Sequence, residues 1–528
     1  MFLIAAALAA PLVDDGGLIA ADLDAGAITE TDALFYRWQA HFDSDLLPER
    51  YVSQVHDGWS CGTGLVMELK DNYDLLTPDQ QDRVNAVLVP WGGTLIEPFS
   101  PSDAPTPPAG TDSCFGQQAD NRILTENFSV EWENGVSETK ATQFADHMEE
   151  GLDSLVNDWG YTLVRQQNQY KVLVYISNDN GGGAYTTAAN CTQGGGWMPY
   201  IVTYENVLDG DWSRSMAPHE YNHAQQYSYG FGHKFWYWEA SATYAKELVH
   251  PGSNWWAQYV QGGYTAQPYI GMEASSQQDQ SVFLHMYGMA IWNFYLDEHV
   301  GGAELVLDTW EYARTHGDQY DLNMDEVIED HGYDWDEVYT GFMATNTVME
   351  YEDQQWFGSI DLVDTVRDFP SDGNERAPEK WGQDYIEIDL SDADGKDIQL
   401  DFTANNDDWY VLLVGTMSTY VNDVVRVEMA DGQGTAVLTD TNKHSKAFLV
   451  VSPMRDSAPN YDWELSLVEP VEEDPADDTD DVGRPGEGEL ETGGLLGAGG
   501  GCGCAGGPLV PGGAFALMGL ALLRRREG

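Results

Sequence analysis

The chain has 528 residues, 42% of them hydrophobic and 12% aromatic, enough apolar side chain for more than one core and too much for a disordered polymer. Its 88 acidic side chains stand against 24 basic ones, a formal net charge of −64. A surface that negative repels nucleic acid and anionic lipid, which excludes both as partners; otherwise it is a solubilising coat.

Residues 1–17, "MFLIAAALAAPLVDDGG", are an apolar run too short to span a membrane, and Ala7-Leu8-Ala9 has the small-residue spacing of a signal-peptidase site. This segment reads as a signal peptide. No basic stretch precedes it, so the natural start is expected upstream. Residues 18–115 read as a helical region, a small domain or a pro-segment. In its "GTGLVMELKDNYDLLTPDQQDRVNAVL" two helices meet at Thr77-Pro78, a cap followed by a first-turn proline. The proline-rich "PFSPSDAPTPPAGTDS" then separates it from residues 116–360.

In that second region "NFSVEW" alternates as a strand, and Phe144, Met148, Leu152, Leu155, Val156 and Trp159 keep a helical spacing. "YKVLVYIS" reads as a buried strand, followed by a glycine-rich loop at Gly181–Gly183, and "MPYIVTYENV" reads as another strand. Helices are expected over "SMAPHEYNHAQQYSYG", "FWYWEASATYAKE", "SVFLHMYGMAIWNFYLDEHV" and "AELVLDTWEYAR". Residues 375–468 change to short alternating strands such as "WYVLLVG" and "AFLVVSP", the pattern of a β-sandwich. "DLSDADGKD" reads there as a hairpin turn, with a calcium loop the lesser alternative. Residues 469–500 are an acidic, then glycine-rich linker. Residues 501–528 join Cys502-Gly503-Cys504, a short apolar transmembrane stretch to Leu523 and three arginines that stay on the cytoplasmic side.

The chemistry concentrates in "HEYNH". His219 and His223 lie four apart, so on a helix both imidazoles face one ion, and Glu220 beside them can take a proton from water at that ion. Glu239, sixteen residues past His223, is the expected third ligand, brought back by a turn containing Gly230 and Gly232. His233, between glycine and lysine in that turn, is the alternative. These ligand types select zinc (Zn2+). Tyr287, with His285 beside it, is the expected donor to a developing oxyanion. Pro218 directly before His219 requires the helix to begin there, with Ser215 as its cap. Three cysteines remain outside the tail for an oxidising compartment. Sequence leaves three pairings open and favours Cys61 with Cys114, Cys191 staying free. Cys61 as an inhibitory thiolate on the metal is the alternative, but "WSCGTGL" lacks the fuller pattern known for such switches.

"YKVLVYIS", "HEYNHAQQ" and "WEASATY" resemble the gluzincin group of zinc peptidases, and most closely the metalloproteases assigned in myxobacteria, over residues 128–287. The resemblance implies an α+β fold: a zincin-like domain with a twisted mixed sheet, an active-site helix and a helical lower half, followed by an all-β sandwich. It implies His219, His223 and Glu239 as zinc ligands and Glu220 as general base. Thr243 stands where some gluzincins carry an aspartate that orients a ligand histidine. The tail resembles the MYXO-CTERM sorting signal of myxobacterial surface proteins, which implies a surface or released protein whose only membrane contact is that tail. The expected activity is hydrolysis of protein or peptide substrates. The competing expectation is an inactive surface binding or structural protein on the same scaffold, using the aromatic stretch "WWAQYVQGGYTAQPY".

Overall fold

The computed structural model describes residues 18–54, 60–89, 112–179, 183–192, 196–276, 280–316, 321–456, 458 and 460–470. The expected signal segment, nearly all of the proline-rich stretch and of the acidic linker, and the C-terminal tail lie outside them. The fold is mixed α+β.

The N-terminal region contains α1 (Leu18–Asp24), α2 (Glu30–Phe42), the two-residue strand β1 (Ser60–Cys61), α3 (Thr63–Asp71) and α4 (Pro78–Leu88). Thr77 caps α4 as its sequence requires: its hydroxyl accepts from the Gln80 amide, and the Gln80 side chain accepts from the Thr77 amide at 2.8 Å. Next come β2 (Asn121–Leu124), β3 (Phe128–Trp132), α5 (Glu138–Leu152), β4 (Val172–Ser177), β5 (Gly183–Asn190) and β6 (Trp197–Tyr204). The six strands form one sheet in the order β1-β5-β6-β4-β3-β2, with β6, β4 and β3 mutually parallel and β5 antiparallel to β6.

The helical half follows: α6 (Gly210–Tyr229), α7 (Phe235–Val249), α8 (Ala257–Gly262), α9 (Gln280–Gly288), α10 (Ala290–Tyr295), α11 (Ala303–His316), α12 (Met324–Asp330), α13 (Trp335–Thr345) and α14 (Gln354–Phe357). α6 lies beneath the sheet against β5 and β6, flanked by α5 and α7. It begins at Gly210, so Pro218 sits inside the helix rather than at its start and Ser215 is not its cap. The proline has no N–H for the Arg214 carbonyl, which faces the His250 ring instead. Close packing holds the segment, since a side chain at Gly151 of α5 would meet Pro218 Cα at 3.4 Å. Gly230, at φ 117°, ends α6 and turns the chain back into α7.

The remaining strands are β7 (Asp364–Val366), β8 (Ser371–Glu375), β9 (Asp384–Ile388), β10 (Asp397–Thr403), β11 (Trp409–Thr416), β12 (Val421–Arg426), β13 (Gln433–Leu438), β14 (Lys446–Pro453) and β15 (Tyr461–Val468). They form a four-stranded sheet, β13-β10-β15-β8, and a five-stranded one, β12-β11-β14-β9-β7, around a common core. "DLSDADGKD" connects β9 to β10 and so crosses between the sheets; it is not a hairpin turn. Strand period 2 explains the unbroken apolar runs. Trp409, Val411 and Leu413 of β11 face the sandwich core, while Tyr410, Leu412 and Val414 join the core of the helical half. Phe448 and Val450 of β14 do the same.

The disulfide joins Cys114 to Cys191, not to Cys61. Thr192 donates to the carbonyls of Cys114 and Phe115, holding the two segments side by side, while pairing with β5 draws Cys61 elsewhere, free and buried.

Candidate metal centre

α6 presents His219 and His223 one turn apart, and α7 brings Glu239 against them; all three are at most 2% exposed. His219 Nε2 and His223 Nε2 are 3.2 Å apart, and each lies 3.4 Å from Glu239 Oε2. Ligands at 2.0–2.1 Å from one ion at tetrahedral angles are separated by about 3.3 Å, so the three atoms already stand near three corners of one coordination tetrahedron. Glu239 Oε2 finds no hydrogen-bond donor among the described residues, an expensive state for a buried carboxylate oxygen unless a cation faces it. The donor set therefore fits a metal ion. Cys61 Sγ completes the group, all four ligand atoms lying within 4.8 Å of one another.

Gln226, one turn past Asn222, supplies the support that Thr243 does not. Its Oε1 lies 2.7 Å from His223 Nδ1, which sets that nitrogen as donor and leaves Nε2 with its lone pair towards the site. Its amide nitrogen donates to Asn222 Oδ1, Trp238 O and Ser241 Oγ at 2.9–3.1 Å, tying α6 to α7. Burial and the Lys246 cation push His219 down to about 3.

Glu220 is fully buried, and burial raises its pKa. Thr186 Oγ1 of β5 donates to Glu220 Oε2 at 2.8 Å, anchoring the general-base candidate to the sheet. The Tyr287 ring lies parallel to His219, with 6.1 Å between centroids, and its hydroxyl donates to the Cys61 carbonyl at 2.9 Å. A small cavity beside these groups is lined by Cys61, Trp212, Met216, His219, Glu220, Lys246, Tyr259 and Tyr287. Lys246, two turns along α7 from Glu239, is 2% exposed and lies over the Trp212 and Tyr259 rings at 5.3 and 4.8 Å. Burial pushes it down to about 8, against the pull of Cys61, Glu220 and Glu239.

The structure thus brings together His219, Glu220, His223, Glu239 and Tyr287. It does not bring His285, which lies two residues before Tyr287, on the opposite side of α9, against Tyr264. Burial pushes His285 down to about 3. His233, the alternative ligand, is packed between Tyr237 and Trp310 with Nε2 2.9 Å from the Thr309 carbonyl, away from the site. Sequence reasoning did not place Gln226, Thr186 or Lys246 here. Gln226 had a signal, standing three after His223 in "HEYNHAQQ"; Thr186 and Lys246 had none. The chain matches no known protein-family model and no curated protein.

Proposed function

We propose that the chain is an exported, surface-associated zinc metallopeptidase of gluzincin type, built on a zincin-like domain. The observation that carries this reading is the ligand geometry: three buried atoms 3.2–3.4 Å apart with the Glu220 carboxylate beside them. Export and surface retention are supported by the residues at the two termini, "MFLIAAALAA" and "CGCAGGPLVPGGAFALMGLALLRRR".

His219, His223 and Glu239 hold the ion. Zinc in such a site supplies Lewis acidity for attack of water on a peptide carbonyl. Glu220 takes the proton of the attacking water and returns it to the leaving amine; its burial, by raising the carboxyl pKa, suits it to both tasks. Tyr287 Oη, once released from Cys61, can donate to the developing oxyanion, and the Lys246 ammonium places positive charge in the same cavity wall.

The test is metal content followed by peptidase assay. Wild-type protein is expected to carry one zinc per chain. Glu239→Gln should weaken zinc by more than the roughly 10–100-fold typical of an outer-shell change. Glu220→Gln should keep zinc and, compared in a Cys61→Ala background that removes the thiol beside the ligands, lose about 10²–10⁴-fold in peptide hydrolysis. A wild-type protein that stays metal-free when zinc is supplied would sink the proposal. One observation favours a second reading, a metal-bearing surface protein without catalysis: Cys61 makes the set four protein ligands, the number of a closed structural site.

A further inference from the structure

Residues 60–63 occupy three positions that a peptide substrate needs. The first is the sheet edge. β1 pairs with β5 through Ser60↔Gly183 and Cys61↔Ala184, the Gly62 amide donates to the Ala184 carbonyl at 2.7 Å, and Thr63 Oγ1 accepts from the Thr186 amide at 2.8 Å. The second is Tyr287, whose hydroxyl is spent on the Cys61 carbonyl. The third is the space beside the metal ligands, where Cys61 Sγ lies within 4.8 Å of the three ligand atoms of α6 and α7. The thiol is spared from pairing because Cys114 and Cys191 bond to each other. An extended segment on the sheet edge with a ligand atom at the ion has the form of a bound peptide.

We infer that residues 60–63 are a built-in inhibitor, with Cys61 a displaceable fourth ligand that keeps the metal site latent until this segment leaves it. The inference rests on the metallopeptidase reading. A thiolate at the fourth position excludes water from the ion, and the occupied edge of β5 excludes an extended substrate. Gly62 fixes the segment from the other side: a Cβ there would overlap the Phe42 ring of α2 at 2.1 Å, so the N-terminal region seats the inhibitor by direct packing.

The experiment uses the full chain loaded with zinc or, for spectroscopy, cobalt. X-ray absorption of the wild-type zinc form should show one sulfur neighbour at about 2.3 Å, and the cobalt form a thiolate charge-transfer band. Cys61→Ala and the closer-sized Cys61→Ser should keep the metal and lose both signals. Acetohydroxamate, which needs a free coordination position, should perturb the cobalt spectrum of either variant at concentrations at least tenfold lower than for wild type. Metal bound without sulfur in the wild type, or equal acetohydroxamate affinity, would overturn the inference and leave the peptidase reading standing; metal lost from both variants would overturn the inference and favour the closed four-ligand site instead. A gain in acetohydroxamate binding without any peptidase activity in the variants would uphold the displaceable ligand and sink the peptidase reading instead.

Discussion

Asp384 of β9 is 4% exposed and accepts a 2.9 Å hydrogen bond from Tyr461 Oη. Burial, with a smaller contribution from Glu375, pushes its carboxyl up to about 7 against the Tyr461 bond, while an unfolded chain titrates it near 3.9. Between those values the folded state holds a proton that the unfolded state has lost, so stability falls as pH rises from about 4 to 7 and levels off above. Asp384→Asn removes that dependence and retains an acceptor for Tyr461. The variant should match wild type near pH 4 and exceed it by about 1–3 kcal/mol at pH 8, read as urea midpoints at the two pH values. A gap independent of pH would show that the carboxyl does not titrate as argued. The candidate metal ligands of α6 and α7 were legible one residue at a time, because helical spacing and a carboxylate on the next helix mark them out. Cys61 was read first as the partner of Cys114 and only second as a thiolate on the metal: its neighbour depends on which strand of a distant sheet it joins, and no local pattern encodes that. Lys246 reads as an ordinary surface lysine near a helix end, and only the tertiary packing buries it.

Helices α8 and α9 meet backbone to backbone through two glycines. A Cβ on Gly288 would lie 2.5 Å from Tyr264 N and 2.8 Å from Tyr259 O, and one on Gly263 would lie 2.3 Å from Leu284 O. These are main-chain atoms that cannot rotate away, and the contact fixes both Tyr259 and Tyr287 in the cavity wall. Gly288→Ala should therefore cost about 1–3 kcal/mol by overpacking, measured by urea unfolding of the metal-free protein. An unchanged midpoint would mean that the helices yield without cost. The same scale shows what sequence patterning could not reach. β3, β4 and β6 were legible as apolar or alternating runs, whereas β5 reads "GAYTTAAN", small and weakly apolar. Its small side chains follow from its position, buried along seven of its eight residues with α6 close against it. Pro218 misplaced the start of α6 because the local penalty of an interior proline was decisive in the sequence; in the fold, packing on Gly151 outweighs it.

At the scale of the molecule, residues 116–360 and 375–468 were separable in sequence by texture, yet the chain through Pro470 forms one compact unit. The outer face of the five-stranded sheet is the reason. Trp381 lies 5.1 Å from Trp335 between ring centroids, and Tyr410 lies 5.2 Å from Tyr339 while donating to Asp336 Oδ1 at 2.6 Å. A buried hydrogen-bond network runs through that contact. Gln383 accepts from Tyr264 Oη and donates to Tyr339 Oη at 2.7 Å, Asn346 donates to Tyr264 Oη at 2.8 Å, and Tyr339 Oη lies 2.9 Å from Ser452 Oγ. Gln383 is 1% exposed, so truncating it leaves buried hydroxyls without partners that water cannot replace. Gln383→Ala should cost about 2–4 kcal/mol from the lost bonds and the void together. Where that cost appears is the discriminating part. If the sandwich and the helical half open as one cooperative unit, hydrogen exchange should lose the same free energy of protection in β11 and β14 as in α10 and α13. If the sandwich opens alone, protection should fall in β11 and β14 while α10 keeps its wild-type rate. The continuous aromatic contact predicts the first outcome, and with it a candidate metal site whose stability is set partly by strands that contribute no residue to it.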